Sequence, residues 1–257
     1  MSPDSLHFPA CELGNAKGIQ EMTGTAPRHA VLIASGGMDS TVTAYELARQ
    51  GSALTLLSFD YGQRHVKEVE FAALIAERLG ATHEIVDLAD FGRLLHGSAL
   101  TDTSVPVPDG HYTAQSMRAT VVPNRNAVML NIAASVAVAR EADAVAFGAH
   151  AGDHVIYPDC RPAFFEKVAA CIRAGNEGFI DPGFQVLAPF LYLTKADIAR
   201  RGDELAVPFG LTWSCYKGGD VHCGTCGTCV ERREAFSLAG VADPTVYADM
   251  LGAEVAR

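Results

Sequence analysis

The sequence predicts an α/β protein: a parallel sheet with helices on both faces, followed by a small C-terminal metal-binding subdomain. Three observations carry that expectation. Short apolar runs alternate with longer stretches of helical period. A glycine-rich hexapeptide, Ser35-Gly36-Gly37-Met38-Asp39-Ser40, joins the first apolar run to the first helical one. Four cysteines, Cys215, Cys223, Cys226 and Cys229, crowd together near the C-terminus.

Taken in order, residues 1–27 lack periodicity and are expected to form a disordered extension, with Met22 as an alternate start. Ala30 to Ala34 is a short apolar run ending in small residues, suited to a buried parallel strand. Thr41 to Gln50 reads as a helix that offers Val42, Tyr45 and Leu47 for packing. Ala53 to Phe59 is a second strand, and Val66 to Leu79 a helix stopped by Gly80. His83 to Leu88 gives a third strand. From His96 to Asn124 the chain is rich in Thr, Ser, Pro and Gly. A structureless stretch longer than about 15 residues is usually a lid or a binding loop, and that is the expectation here.

Asn126 to Arg140 is an alanine-rich helix, and Ala144 to Gly148 a strand. Pro162 to Ala174 is a helix with proline in its first turn. Thr194 to Leu205 is another, opened by a capping box between Thr194 and Asp197. The organisation that follows is one α/β domain over 28–210 and a cysteine-rich segment with a tail over 211–257.

Composition narrows the function classes. Of 257 residues, 49% are hydrophobic and 19% charged, so a sizeable core is expected. The formal net charge of −10 disfavours a phosphate backbone as main partner, because gripping one needs clustered Lys and Arg. No stretch approaches the ~18 consecutive apolar residues of a membrane span. The first residues lack the basic start and apolar centre of a signal peptide, so a cytoplasmic location is expected. Cytosolic thiols stay reduced, which directs the clustered cysteines toward a metal rather than disulfides.

The hexapeptide has the composition of a phosphate cradle. Glycines let backbone approach an anion, and the helix that follows presents free N–H groups and a favourable dipole. Ser35 and Ser40 add hydroxyl donors, and Asp39 is placed to hold Mg²⁺ or to orient the loop. The motif resembles the S-G-G-x-D-S signature of the PP-loop ATP pyrophosphatases. That resemblance implies ATP cleavage between the α- and β-phosphates, with Ser35, Gly36, Gly37, Met38, Asp39, Ser40, Thr41 and Asp60 at the nucleotide. Leu193-Thr194-Lys195-Ala196-Asp197-Ile198 is similar to a later helix of amide-forming members, which would bring Lys195 to a phosphate.

Cys215, Cys223, Cys226 and Cys229 are separated by seven, two and two residues. Four thiolates complete a tetrahedron and leave no open position, so a zinc ion there is structural. An iron–sulfur cluster is the competing occupant, since Cys-x-x-Cys-x-x-Cys also serves such clusters.

Four further blocks occur: Ser58-Phe59-Asp60-Tyr61-Gly62-Gln63-Arg64-His65, Val122-Pro123-Asn124-Arg125-Asn126, Tyr157-Pro158-Asp159-Cys160-Arg161 and Thr212-Trp213-Ser214-Cys215-Tyr216. In order and content they are similar to the QueC family, the 7-cyano-7-deazaguanine synthases, from about Ala30 to Val246. Asn124 departs from the glycine many members carry, but asparagine tolerates left-handed backbone. The resemblance implies a Rossmann-like sheet of the adenine nucleotide alpha hydrolase type, structural Zn²⁺ on the four cysteines, and Mg²⁺-ATP. It also implies small-molecule substrates, 7-carboxy-7-deazaguanine and ammonia. Asp39, Arg64, Arg125 and Lys195 are then the catalytic candidates. Gln63, His65, Asn126, Asp153, His154, Asp159 and Arg161 are the substrate candidates, with His65 and His154 as proton shuttles and Asp153 and Asp159 on the guanine-like edge. The competing readings are a PP-loop tRNA thiolase and a QueC-like component acting on a protein partner. The apolar content and long helices permit a homodimer.

Overall fold

The computed structural model describes residues 25–111, 116, 118–155 and 157–254. Most of the expected N-terminal extension therefore lies outside the described residues, as does part of the expected lid.

Five parallel strands form the sheet: β1 (His29–Ile33), β2 (Ala53–Asp60), β3 (Thr82–Asp87), β4 (Ala144–Ala146) and β5 (Gln185–Leu187), in the order β3-β2-β1-β4-β5. After β3 the chain crosses back to lay β4 on the other side of β1. The strand order thus reverses between β1 and β4, and ligands in open α/β sheets bind at such a switch point, beyond the carboxyl ends of the strands.

Alternate residues of a strand face opposite sides, so each face builds its own core. Ala30 and Leu32 pack with α1 (Met38–Arg49), α2 (Glu68–Leu79) and Ile198 of a later helix. On the other face, Val31, Leu57 and Val145 pack against the short α3 (Ala89–Arg93) region, α4 (Arg125–Ala139) and α5 (Pro162–Gly175). The helices α6 (Lys195–Glu204), α7 (Gly227–Ala239) and α8 (Ala248–Glu254) complete the described chain. Helices on both faces of a parallel sheet are what the sequence predicted. Among the described residues no helix is long and apolar enough to cross a membrane.

Several element ends differ from expectation for physical reasons. Helix α1 begins at Met38 rather than Thr41, because Gly37 is extended (φ −77°, ψ 169°) and its carbonyl already accepts the Thr41 N–H at 3.1 Å. Asp39 and Ser40 therefore sit in the first helical turn. Helix α2 ends on Gly80 in left-handed backbone (φ 61°), and α6 opens with the Thr194–Asp197 capping box, both as expected. Strand β5 and helices α3, α7 and α8 were not anticipated.

A third, smaller core surrounds the cysteines and draws on distant chain: Ala99 and Val107 join Trp213, Cys215, Cys226, Cys229 and Tyr247. The stretch expected as a lid or binding loop is thus packed down over its first part. Its tip is tied to the cysteine segment through the Gly110 N–H on the Thr225 carbonyl (2.7 Å) and through Asp109, which accepts from Lys217 Nζ at 2.6 Å.

Residues on both sides of position 210 share cores, Phe209 packing edge-on against Phe236 at 4.8 Å. The join is held by Arg232 of α7, which is fully buried. Its guanidinium donates to Thr212 Oγ1 (2.7 Å), to the Phe209 carbonyl (3.0 Å) and to Asp243 Oδ1 (3.2 Å). A buried charge is tolerable only when so completely paired, and removing one partner strands the other. Arg232→Ala is expected to cost about 3–5 kcal/mol, read as a lowered midpoint in urea unfolding. A midpoint equal to that of the parent would show that the join does not depend on this residue.

Candidate active site

A cavity opens at the switch point. Its lining includes the phosphate loop, an apolar floor of Ile33, Phe59, Met129 and Phe147, and a polar far end. Two glycines make the close approaches that shape it. Gly36 has φ +74°, and a Cβ there would lie 2.0 Å from the Glu68 carbonyl oxygen. At Gly148, just after β4, a Cβ would lie 3.0 Å from the Ser40 nitrogen. Either methyl would push the loop off its support.

Within the loop, Ser35 and Ser40 hydroxyls lie 3.1 Å apart, and Gly37 N–H donates to Ser35 Oγ at 3.2 Å. Ser35, Gly37, Met38, Asp39 and Ser40 line the cavity. Gly36 works behind it by packing on α2, and Thr41 is buried in the helix. Asp60 does not line the cavity either; its carboxylate accepts the Gly62 N–H at 2.9 Å and shapes the turn after β2.

Lys195, the first residue of α6, reaches the loop. Its Nζ is 3.7 Å from Asp39 Oδ2 and 3.3 Å from Glu231 Oε2. Burial works against its charge, but Asp39, Glu231 and Asp153 outweigh burial and raise its pKa. His150, absent from the sequence expectations, is the organiser of this end. Its Nδ1 accepts the Gly152 N–H at 3.1 Å, which leaves Nε2 as the protonated nitrogen in the neutral ring. That Nε2 faces Asp153 Oδ2 at 3.5 Å and Asp39 Oδ2 at 3.8 Å. Asp39 Oδ1 is buried without a partner.

Elsewhere on the lining, Arg125 donates to the Tyr61 hydroxyl at 3.0 Å, and His65 packs against Tyr216 with ring centroids 4.7 Å apart. Burial, with Arg125 adding to it, pushes the His65 pKa down to about 3, so its ring is neutral. Glu68 lies beside it. Burial raises this carboxyl to about 8, against the opposing influence of Arg125 and a hydrogen bond from Gln63.

The remaining candidates divide. Asn126 and Asp153 line the cavity. Arg64 does not: its guanidinium donates to the carbonyls of Asp102 (2.9 Å) and Val105 (3.0 Å), and it holds the packed-down loop instead. Gln63 is buried and spans its own turn, accepting from Tyr61 N–H and donating to the Phe59 carbonyl, each at 2.8 Å. Asp159 accepts the Asn126 N–H at 3.0 Å and so ties down the start of α4, which Asn124 enters in left-handed backbone (φ 58°). His154 and Arg161 are joined to each other, Arg161 Nε donating to the His154 carbonyl at 2.7 Å, outside the cavity lining. The residues that sequence reasoning missed are Glu68, His150 and Glu231. None belongs to a motif with a role of its own; folding brings Glu68 to the cavity and sets His150 and Glu231 beside Asp39 and Lys195.

The sulfurs of Cys215, Cys223, Cys226 and Cys229 all lie within 4.8 Å of one another. Backbone N–H groups of Cys226 and Thr225 point at Cys223 Sγ (3.2 and 3.4 Å), and that of Cys223 at Cys215 Sγ (3.4 Å), an arrangement that favours thiolates. The group fits a single metal ion. Trp213, Ser214 and Tyr216, which flank Cys215, line the cavity.

Comparison with known proteins agrees with this geometry. The model of the family described as "Queuosine biosynthesis protein QueC" matches residues 29–240. The chain is 57% identical over 221 residues to 7-cyano-7-deazaguanine synthase 1 of Mesorhizobium japonicum, covering 86% of this chain and 94% of that protein. It is 55% identical over 219 residues to the 7-cyano-7-deazaguanine synthase of Allorhizobium ampelinum, covering 85% and 92%. Among solved structures it is similar to the NMN synthetase of Francisella tularensis, with TM-score 0.45, 16% identity, and coverage of 88% of this chain and 82% of that one. Set beside the match over residues 29–240, the loop, the four cysteines and the cavity between them leave one assignment: the chain belongs to the QueC family of queuosine biosynthesis proteins.

Proposed function

We propose that the protein converts 7-carboxy-7-deazaguanine, ammonia and ATP into 7-cyano-7-deazaguanine. The observation that carries this reading is one cavity lined by the phosphate loop together with Arg125, Tyr61, His65 and Glu68, in a chain whose relatives bear the synthase name. A carboxylate oxygen of the acid attacks the α-phosphorus, and pyrophosphate departs toward Ser35, Gly37 and Ser40. Ammonia displaces AMP to give the amide. The amide oxygen is adenylated by a second ATP, and loss of AMP leaves the nitrile.

In this scheme Lys195 neutralises charge developing on the phosphates. Arg125, held by Tyr61, is a fixed positive charge for the incoming carboxylate. Asp39, with its unpartnered Oδ1, and Asp153 are the residues that would hold Mg²⁺, which supplies charge neutralisation on the triphosphate. For the cysteine centre, zinc is favoured. A single ion bound at ~2.3 Å puts four sulfurs ~3.8 Å apart, close to the 3.9 Å between Cys223 and Cys229. A [4Fe–4S] cluster places each thiolate on a separate iron and spreads them further.

The test is incubation of purified protein with ATP, Mg²⁺, ammonium and the acid, with products identified by mass spectrometry. Nitrile, AMP and pyrophosphate are expected. AMP without nitrile would reject the acid as substrate, and no AMP would reject the adenylating reading altogether.

A further inference from the structure

Glu68 opens α2 against the phosphate loop, and the scheme above leaves it without a task. Gly36 packs directly on its backbone, so its position is fixed by the loop itself. Its side chain is 13% exposed and lines the cavity. One carboxyl oxygen lies 3.4 Å from Gln63 Nε2 and the other 3.5 Å from His65 Nε2. Among the described residues no Lys or Arg nitrogen comes within 4.0 Å of it. Its surroundings are complete: Tyr61, Gln63 and neutral His65 from the turn before α2, Arg125 from α4 acting at longer range, and uncharged backbone from the loop. A buried carboxyl without an ion pair costs stability, and such a group in a reactive cavity marks a functional role.

The walls beside it supply the second half of the argument. Tyr61, His65, Trp213 and Tyr216 also line the cavity, and the rings of Tyr61 and Trp213 already carry Arg125 (5.8 Å) and Lys67 (4.9 Å). That leaves the Glu68 carboxylate as the group to attract a small cation, and ammonium is the cation that this chemistry consumes.

We propose that Glu68 is the group that takes a proton from ammonium and so delivers the ammonia that attacks the acyl-adenylate. This rests on the nitrile-forming reading above. The Glu68 carboxylate accepts one proton from ammonium. The freed nitrogen lone pair forms the C–N bond as the C–O bond to AMP breaks, and AMP leaves with that electron pair. The nitrogen then sheds a second proton to water, giving the neutral amide, and Glu68 returns its own to solvent before the next cycle. An acid that titrates near the working pH is matched to this task.

The experiment compares two reactions of the full-length, metal-loaded protein and its Glu68→Gln variant. One is the acid-dependent exchange of labelled pyrophosphate into ATP, which needs no ammonia; the other is ammonium-dependent amide formation. Glu68→Gln is expected to lose about 100-fold or more in amide formation and at least tenfold less, on the order of tenfold or under, in exchange. At fixed total ammonium the parent rate rises and levels near pH 8, whereas the variant rate keeps climbing with free ammonia, so the gap closes at high pH. Glu68→Asp, which keeps the carboxyl, is expected to recover part of the loss. Equal losses in both reactions, or a gap that stays constant with pH, would overturn the proposal in favour of a structural role. No loss at all would also overturn it. Absence of acid-dependent exchange in the parent would instead reject the nitrile-forming reading, and this inference with it.

Discussion

Stripping the metal from the four-cysteine centre, or replacing Cys226 with Ser, is expected to unfold the segment after Leu211 and to abolish ATP cleavage. Cys226 is fully buried, stands immediately before α7 and shares its small core with Ala99, Trp213 and Tyr247. Without the ion, four thiols in van der Waals contact replace four metal bonds. Structural zinc contributes an apparent ~10–16 kcal/mol in small zinc-dependent folds, as much as the ~5–15 kcal/mol that holds a whole domain together. The loss is not confined to the tail, because Trp213, Ser214 and Tyr216 form one wall of the cavity. The check is metal content, thermal melting and AMP release measured before and after a strong chelator. A metal-free protein that melts and turns over like the parent would show that the centre is dispensable.

Lys195→Ala is expected to lower the rate of AMP formation by about 10³-fold or more, while leaving the fold intact. Positive groups on a transferring phosphoryl are worth about 10³–10⁵ in rate. Helix α6 does not need the lysine to start, since Thr194 and Asp197 cap it reciprocally. The sign of its pKa shift adds a second expectation. Burial opposes the charge, yet Asp39, Glu231 and Asp153 prevail and raise the pKa above the ordinary lysine value. The group therefore stays protonated through neutral and mildly alkaline pH, and no fall in rate between pH 7 and 9 should trace to it. Steady-state kinetics across that range, with circular dichroism as a folding control, decide both points. A variant within a few-fold of the parent would remove Lys195 from the chemistry.

The sheet was legible because its strands are short apolar runs buried on both faces, a pattern that length and punctuation identify without any tertiary information. The phosphate loop and the cysteine spacing were legible for a related reason: each is a local device whose parts are close in sequence. Direction in space was not legible. Arg64 sits one residue from Gln63 and His65 in a single motif, yet the three side chains go to different places. His65 turns into the cavity, Gln63 folds back on its own turn, and Arg64 reaches to Asp102 and Val105. Helix α7 was hidden because its first turn contains glycine and cysteine rather than strong helix formers. His150 and Glu231 became visible only when folding set them beside Asp39 and Lys195.

The cavity wall formed by Trp213, Ser214 and Tyr216 is made late in synthesis. The phosphate loop lies at residues 35–40, and Trp213, Ser214 and Tyr216 complete the chamber it opens into. Synthesis runs from the N-terminus, so the ATP-gripping half leaves the ribosome long before the wall that encloses it. Until the cysteine segment emerges and packs, the nascent chain carries an open trough rather than an enclosed chamber. On the zinc assignment proposed above, a chain deprived of the ion is expected to keep the sheet and to lose the enclosed site.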